Sequence, residues 1–188
     1  MESKTTTIEL PEGTYNVIAD HFDNKDLVKL KSIYDNWREL SKTLNSFNAR
    51  SVNLPEGLSE VAFCLFMDCV RLNNPKISGK VNTSFDAYSL SRKKRIQIKS
   101  CSVLPDLTSF GPKSKWDEIY FQDFYRDGKW DYKVDIYKIP DSLIYSHKVN
   151  KLQTFAEMQS EGKRPRFSIY KSIIEQNNIK PVKTFSLK

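Results

Sequence analysis

Thr83-Ser84-Phe85-Asp86-Ala87-Tyr88, then a basic turn, then Lys94-Arg95-Ile96-Gln97-Ile98-Lys99-Ser100 is the stretch that decides the fold of this chain. Ile96, Gln97, Ile98 and Lys99 alternate apolar and polar, the period of a half-buried strand, so Gln97 and Lys99 share one face. The segment before the turn reads as a partner strand with Phe85 inward. A hairpin centred between Ser91 and Arg92 sets Asp86 opposite Gln97 and Ser84 opposite Lys99. Directly opposed residues also share a face, with Cβ atoms roughly 5 Å apart. A carboxylate, an amide and an ammonium therefore converge on one patch. That patch suits metal-assisted phosphodiester chemistry, in which a carboxylate holds Mg²⁺ and a lysine orients or activates water beside a phosphate. The plainer alternative is an amphipathic hairpin with solvated charges.

Charge is distributed to match. The chain of 188 residues has a net charge of +7, but residues 76–115 alone carry nine basic and two acidic side chains. Residues 140–188 carry nine and four, whereas residues 1–75 carry eight and eleven. Lys and Arg neutralising phosphates are the main electrostatic source of nucleic-acid affinity. Arg92, Lys93, Lys94 and Arg95 crowd the turn, where they read either as a phosphate clamp or as a solvated guard against edge pairing. Three cysteines, two histidines and no Cys-x-x-Cys pair argue against structural zinc and against Ser-His or Cys-His nucleophiles. No apolar run approaches a membrane span, and the polar N-terminus has no secretory h-region, so the expectation is a cytoplasmic protein.

The length suits one domain over residues 1–188. Residues 1–22 are expected as an N-terminal extension. Residues 24–47 repeat Leu27, Leu30, Ile33, Tyr34, Trp37, Leu40, Leu44 and Phe47 at helical spacing, capped by Asp23 or Asn24, with core packing or a dimer seam as the two readings. Pro55-Glu56-Gly57 breaks the chain. A nearly all-apolar helix is predicted from Leu58 to Leu72, ended by Asn73-Asn74-Pro75. Residues 103–115 read as an irregular loop in which Lys115 is a DNA-contact candidate.

Asp127-Gly128 predicts a second hairpin. It pairs Ile119, Phe121, Asp123 and Tyr125 with Ile136, Val134, Tyr132 and Trp130, and turns Gln122 and Asp135 to water. Residues 57–139 form the expected catalytic core. Residues 140–188 form a basic segment with a helix over 146–159, a short strand, a short helix and an extended tail. Arg164 and Arg166 in it suit contact with phosphates or guanine.

The pattern of Asp86 on one strand and Gln97-x-Lys99 on the next resembles the PD-(D/E)XK nucleases, the superfamily of most type II restriction endonucleases. Phe85 stands where the family often has proline, and Gln97 where it usually has an acid. Arg164-Pro165-Arg166-Phe167-Ser168-Ile169, Ile173-Ile174 with Asn177-Asn178, and Ile179-Lys180-Pro181-Val182 resemble the C-terminal region of a small type II group. That likeness extends over about residues 57–185.

The resemblance implies an α/β fold, a restriction-endonuclease-like central mixed sheet flanked by helices, and Mg²⁺ as cofactor. It implies metal ligation by Asp86, the Gln97 amide oxygen, the Ile98 carbonyl and Glu60, with Lys99 assisting. Glu60 is carried over because members place a glutamate on the helix before the motif; a Glu in a first helical turn is also favoured by the helix dipole alone. The implied substrate is double-stranded DNA, cut at a short GC-rich site of the GCNGC kind to leave 5′-phosphates. The implied assembly is a homodimer, with a cognate methyltransferase as a genetic companion. A structure-selective repair nuclease, and a DNA-binding protein whose site has decayed at Gln97, are the alternatives.

Overall fold

The computed structural model describes residues 1–73 and 84–188. The Asn74-Pro75 stop signal and Thr83 lie outside the described residues. In chain order the elements are β1 (Glu2–Leu10), β2 (Gly13–His21), α1 (Asp26–Ser46), α2 (Glu56–Met67), β3 (Arg71–Leu72), β4 (Ala87–Ser89), β5 (Lys94–Cys101) and β6 (Thr108–Ser109). Then follow β7 (Glu118–Asp123), β8 (Lys133–Ile139), α3 (Asp141–Tyr145), α4 (Phe155–Ser160), β9 (Arg166–Phe167), the π-helical turn α5 (Tyr170–Glu175) and β10 (Lys183–Ser186).

The central sheet runs β10-β8-β7-β5-β4. Only β5 and β7 are parallel; the other neighbours are antiparallel. A parallel pair needs a crossover of a dozen residues or more, and the 102–117 segment provides it. The result is the expected restriction-endonuclease-like α/β fold, a mixed sheet between helices.

Both faces of this sheet are covered. Ile96, Ile98, Tyr120, Val134 and Ile136 pack with Leu30, Tyr34 and Trp37 of α1 and Leu58, Ala62 and Phe63 of α2. The other residue parity, Ile119, Phe121, Tyr137 and Ile139, packs with Ile144, Phe155, Ile173 and Ile174. Strands buried on both faces lose simple apolar/polar alternation, which explains one failed expectation. The β7–β8 register is Ile119↔Ile139, Phe121↔Tyr137 and Asp123↔Asp135, three residues away from the expected pairing. Gln122 and Asp135, expected in water, are buried. Asp127 and Gly128 do turn the chain, at φ 52° and 70°. Phe124, however, is drawn into the core, and Tyr132 packs at a tilt against Tyr34 of α1, so residues 124–132 are loop rather than strand.

The motif hairpin has the expected register, with Ala87↔Ile96, Tyr88↔Arg95 and Ser89↔Lys94. Three other expectations need correction. Residues 2–21, expected as an N-terminal extension, are a β-hairpin that pairs through β2 with β3. α2 ends at Met67, because Asp68 takes a left-handed conformation (φ 52°, ψ 55°) that reverses the chain. The helix expected within 146–159 is confined to α4, started by a Thr154–Glu157 capping box, while α3 ends before that span at Tyr145. The expected extended tail is strand β10, paired to β8. α1 keeps Leu30, Tyr34 and Trp37 inside but leaves Ile33, Leu40 and Phe47 exposed. Its N-cap position is Lys25, whose amide Asp23 accepts at 2.8 Å.

Candidate active site

The hairpin register brings Asp86 and Gln97 into contact. The Asp86 amide donates to the Ile96 carbonyl (2.9 Å), which continues the β4–β5 ladder past the end of β4. The Asp86 carboxylate accepts from the Ile98 amide (2.6 Å) and from Gln97 Nε2. Gln97 is 3% exposed, and its Oε1 has no hydrogen-bond partner among the described residues. A buried amide oxygen without a partner is costly, and here it lies beside a carboxylate. Oxygen and nitrogen of an amide are interchangeable by a flip of the side chain. The flipped amide would aim its oxygen at Asp86, an arrangement that a cation between them, or a proton on Asp86, makes favourable.

Glu60 comes to the same place from α2. It lines a cleft of about 500 Å³ with Glu56, Ser59, Ile98, Lys99, Ser100 and the 102–109 loop. Burial, then the charges of Asp86 and Glu56, push the Glu60 carboxyl up to about 7. Burial pushes Asp86 up to about 6, against the Ile98 amide bond and the positive charge of Lys99. Two carboxylates raised by burial, each also by the charge of Glu56, form a site short of positive charge. Arg71 supplies part of the shortfall. It lies 3.4 Å from Glu60 and 3.5 Å from Asp20 of β2.

Had α2 continued to Leu72, Glu60 and Arg71 would stand about 16 Å apart along one helix. The reversal at Asp68 brings them together, so Arg71 had no signal in the sequence. Glu56 was legible only as part of a helix break. Gln122, fully buried, donates from Nε2 to the Ser59 carbonyl (2.9 Å) and ties β7 to α2 one residue from Glu60.

Among the described residues no three His, Cys, Asp or Glu side chains are gathered as a metal cluster. The donors here are instead two carboxylates, one unpartnered amide oxygen and the Ile98 carbonyl. All are oxygens, the set that a hard divalent cation prefers. Lys99 lies on the cleft wall with its ammonium 5.3 Å from the Phe110 ring.

The basic candidates divide. Arg166 pairs through β9 with Ser109 of β6, a cleft residue, and Arg164 is exposed two residues earlier. The Lys115 amide is held by Ser84 Oγ (3.0 Å), two residues from Asp86. Arg92 and Lys93 are at the other end of β5, six residues or roughly 20 Å from Lys99. There Arg92 meets Glu118 (3.3 Å), Lys93 meets Glu9 (2.7 Å), and Lys94 is exposed beside them. The structure does not bring this turn to the cleft.

A mixed sheet whose hairpin sets an Asp beside an amide, next to a cleft lined by a Lys and a helix-borne Glu, fits the class that the family comparison gives, the site-specific endonucleases of restriction–modification systems. The family model described as Bsp6I restriction endonuclease matches residues 22–176. The chain belongs to that family. The Type II restriction enzyme Bsp6I of Bacillus sp. (strain RFL6) is 35% identical over 155 residues, which cover 81% of this chain and 83% of the relative. No solved structure matches the chain. Among the described residues no helix is long and apolar enough to cross a membrane.

Proposed function

We propose that this endonuclease hydrolyses phosphodiester bonds of double-stranded DNA at a short specific sequence in a Mg²⁺-dependent reaction that leaves 5′-phosphates. The observation that carries the reading is the contact of Asp86 with Gln97 beside Ile98, with Glu60 and Lys99 lining the same cleft. Asp86, Gln97 Oε1, the Ile98 carbonyl and Glu60 would hold the cation. When bound, Mg²⁺ supplies charge stabilisation for the phosphate and a more acidic water.

The chain's own residues do the rest. Asp86 is locked by the Ile98 amide, so its free oxygen has one direction. Lys99 places a fixed positive charge where negative charge grows on the phosphate, the term that dominates such catalysis. Glu60, paired with Arg71 in the metal-free chain, would be one of the groups that hold the cation. Arg164 and Arg166, with Lys115, hold the sugar–phosphate backbone against the cleft.

One such cleft per chain means that cutting both strands of a two-fold site takes two chains, so the working form is a homodimer. The C-terminal likeness noted from the sequence favours a GC-rich site of the GCNGC kind. A cytoplasmic location beside a cognate methyltransferase follows from the same reading. A digest of intact plasmid with Mg²⁺ and with EDTA, with fragment ends sequenced, tests this. Discrete fragments with 5′-phosphate ends in Mg²⁺ alone are expected. Cutting confined to branched DNA would instead favour a structure-selective nuclease, and tight binding without cutting a decayed site.

A further inference from the structure

We propose that the 102–109 loop is a second DNA-reading element, in which Val103 and Leu107 press apolar surface against base and sugar edges beside the scissile phosphate. The inference rests on the endonuclease reading above and extends it to residues with no charge. Along the loop the side chains sort by direction. Leu104 packs into the core beneath the sheet, while Asp106 and Thr108 are 7% and 8% exposed. Val103 and Leu107 point the other way, 54% and 63% exposed, and line the same cleft as Glu60 and Lys99.

The loop is held in this arrangement. Its Ser102 carbonyl accepts from Trp130 Nε1 (3.0 Å). The Asp106 carboxylate accepts from Thr108 Oγ1 (2.7 Å), Ser168 Oγ (2.5 Å), the Ile169 amide (2.9 Å) and the Tyr170 amide (3.1 Å). Thr108 and Ser109 pair with Phe167 and Arg166. Scattered exposed apolar residues are ordinary on a protein surface. A loop bonded at this many points is different, because its ordering cost is met before any ligand arrives. It keeps two branched side chains in water at the mouth of the cleft, and their hydrophobic free energy is recovered only when something covers them.

With a divalent cation offsetting Glu56 and Glu60 on the same wall, the remaining charges say what the cover is. Lys99 lies within the cleft, and Arg166 is carried on the strand paired to the loop. A polyanion with apolar edges fits both: phosphates meet the cations, while sugar faces, base edges and thymine methyl groups meet Val103 and Leu107.

The test compares Leu107→Asp, Leu107→Ala and Val103→Ala with Leu152→Asp, an apolar residue 90% exposed and outside the cleft. Single-turnover cleavage of plasmid in Mg²⁺ is measured, with fragment ends sequenced and thermal unfolding followed in parallel. Unfolding should be unchanged in all four. Leu107→Asp should cut at least about a hundredfold more slowly, Leu107→Ala and Val103→Ala about tenfold more slowly, and Leu152→Asp at the wild-type rate. Leu107 variants that cut at the wild-type rate and sites, or an equal loss in Leu152→Asp, would overturn the proposal. A wild-type protein that cuts nothing sinks the endonuclease reading instead. The loop is then judged by DNA affinity in the same four variants, where loss confined to Val103 and Leu107 supports it and unchanged affinity refutes it.

Discussion

The two ends of β5 carry similar amounts of charge and use it differently. At the N-terminal end, Arg92, Lys93 and Arg95 each have a carboxylate: Glu118, Glu9, and Asp117 at 2.8 Å. Glu9 belongs to the N-terminal hairpin, so tertiary pairing neutralises a turn that is the most basic run of the sequence. Toward the C-terminal end, burial and the charge of Glu56 raise both Asp86 and Glu60, and the Gln97 oxygen has no partner among the described residues. Charge that has been compensated holds a fold together. Charge left short in a cleft is available for a ligand. Density of Lys and Arg along the chain does not distinguish the two.

The hardest test of this contrast is removal of a group at the deficient end. Asp86→Ala and Lys99→Ala should each slow plasmid cleavage by at least about a hundredfold while DNA binding, read by gel shift, stays near wild type. Cleavage at the wild-type rate in either variant would break the comparison at its root.

A pH titration of the metal-free protein is the next measure. Asp86 and Glu60 have folded-state values of about 6 and about 7, above their ordinary ones. Their contribution to stability is therefore full below about pH 4, the unfolded range, and is lost as pH rises through 6 to 7. The metal-free melting temperature should fall between pH 5 and pH 8, and Mg²⁺ should restore it at pH 8. Gln97→Glu adds a third carboxylate and should steepen the fall. A flat profile would show that the pair is not short of positive charge.

The smallest effects separate the arginines. Arg166→Ala should weaken DNA binding about tenfold and lower the slope of log affinity against log salt by about one. Arg92→Ala, already paired to Glu118 and far from the cleft, should leave both within error. Equal losses from the two would place the basic turn on the DNA after all.

Alternation in Ile96 to Lys99 was enough to set the motif hairpin, because a period of two fixes which residues share a face whatever packs above them. That much placed Asp86 on Gln97. The same reasoning failed at β7 and β8, where helices cover both faces. Burial of Phe124 and the pull of α1 on Tyr132 override the turn signal of Asp127-Gly128, and the register moves by three residues. Glu60 was identified by family likeness rather than by any periodicity, and Arg71, its partner, was invisible to either.

The sequence by itself determined the pairing of the motif strands, which follows from local periodicity, and through its family likeness pointed to the α/β class and the oxygen-rich chemistry of the candidate site. Only the tertiary structure decided which cations are spent on ion pairs, which segments wall the cleft, and that Val103 and Leu107 stand at its mouth. Those outcomes depend on contacts between residues far apart in the chain, and no local pattern encodes the partner of a charge.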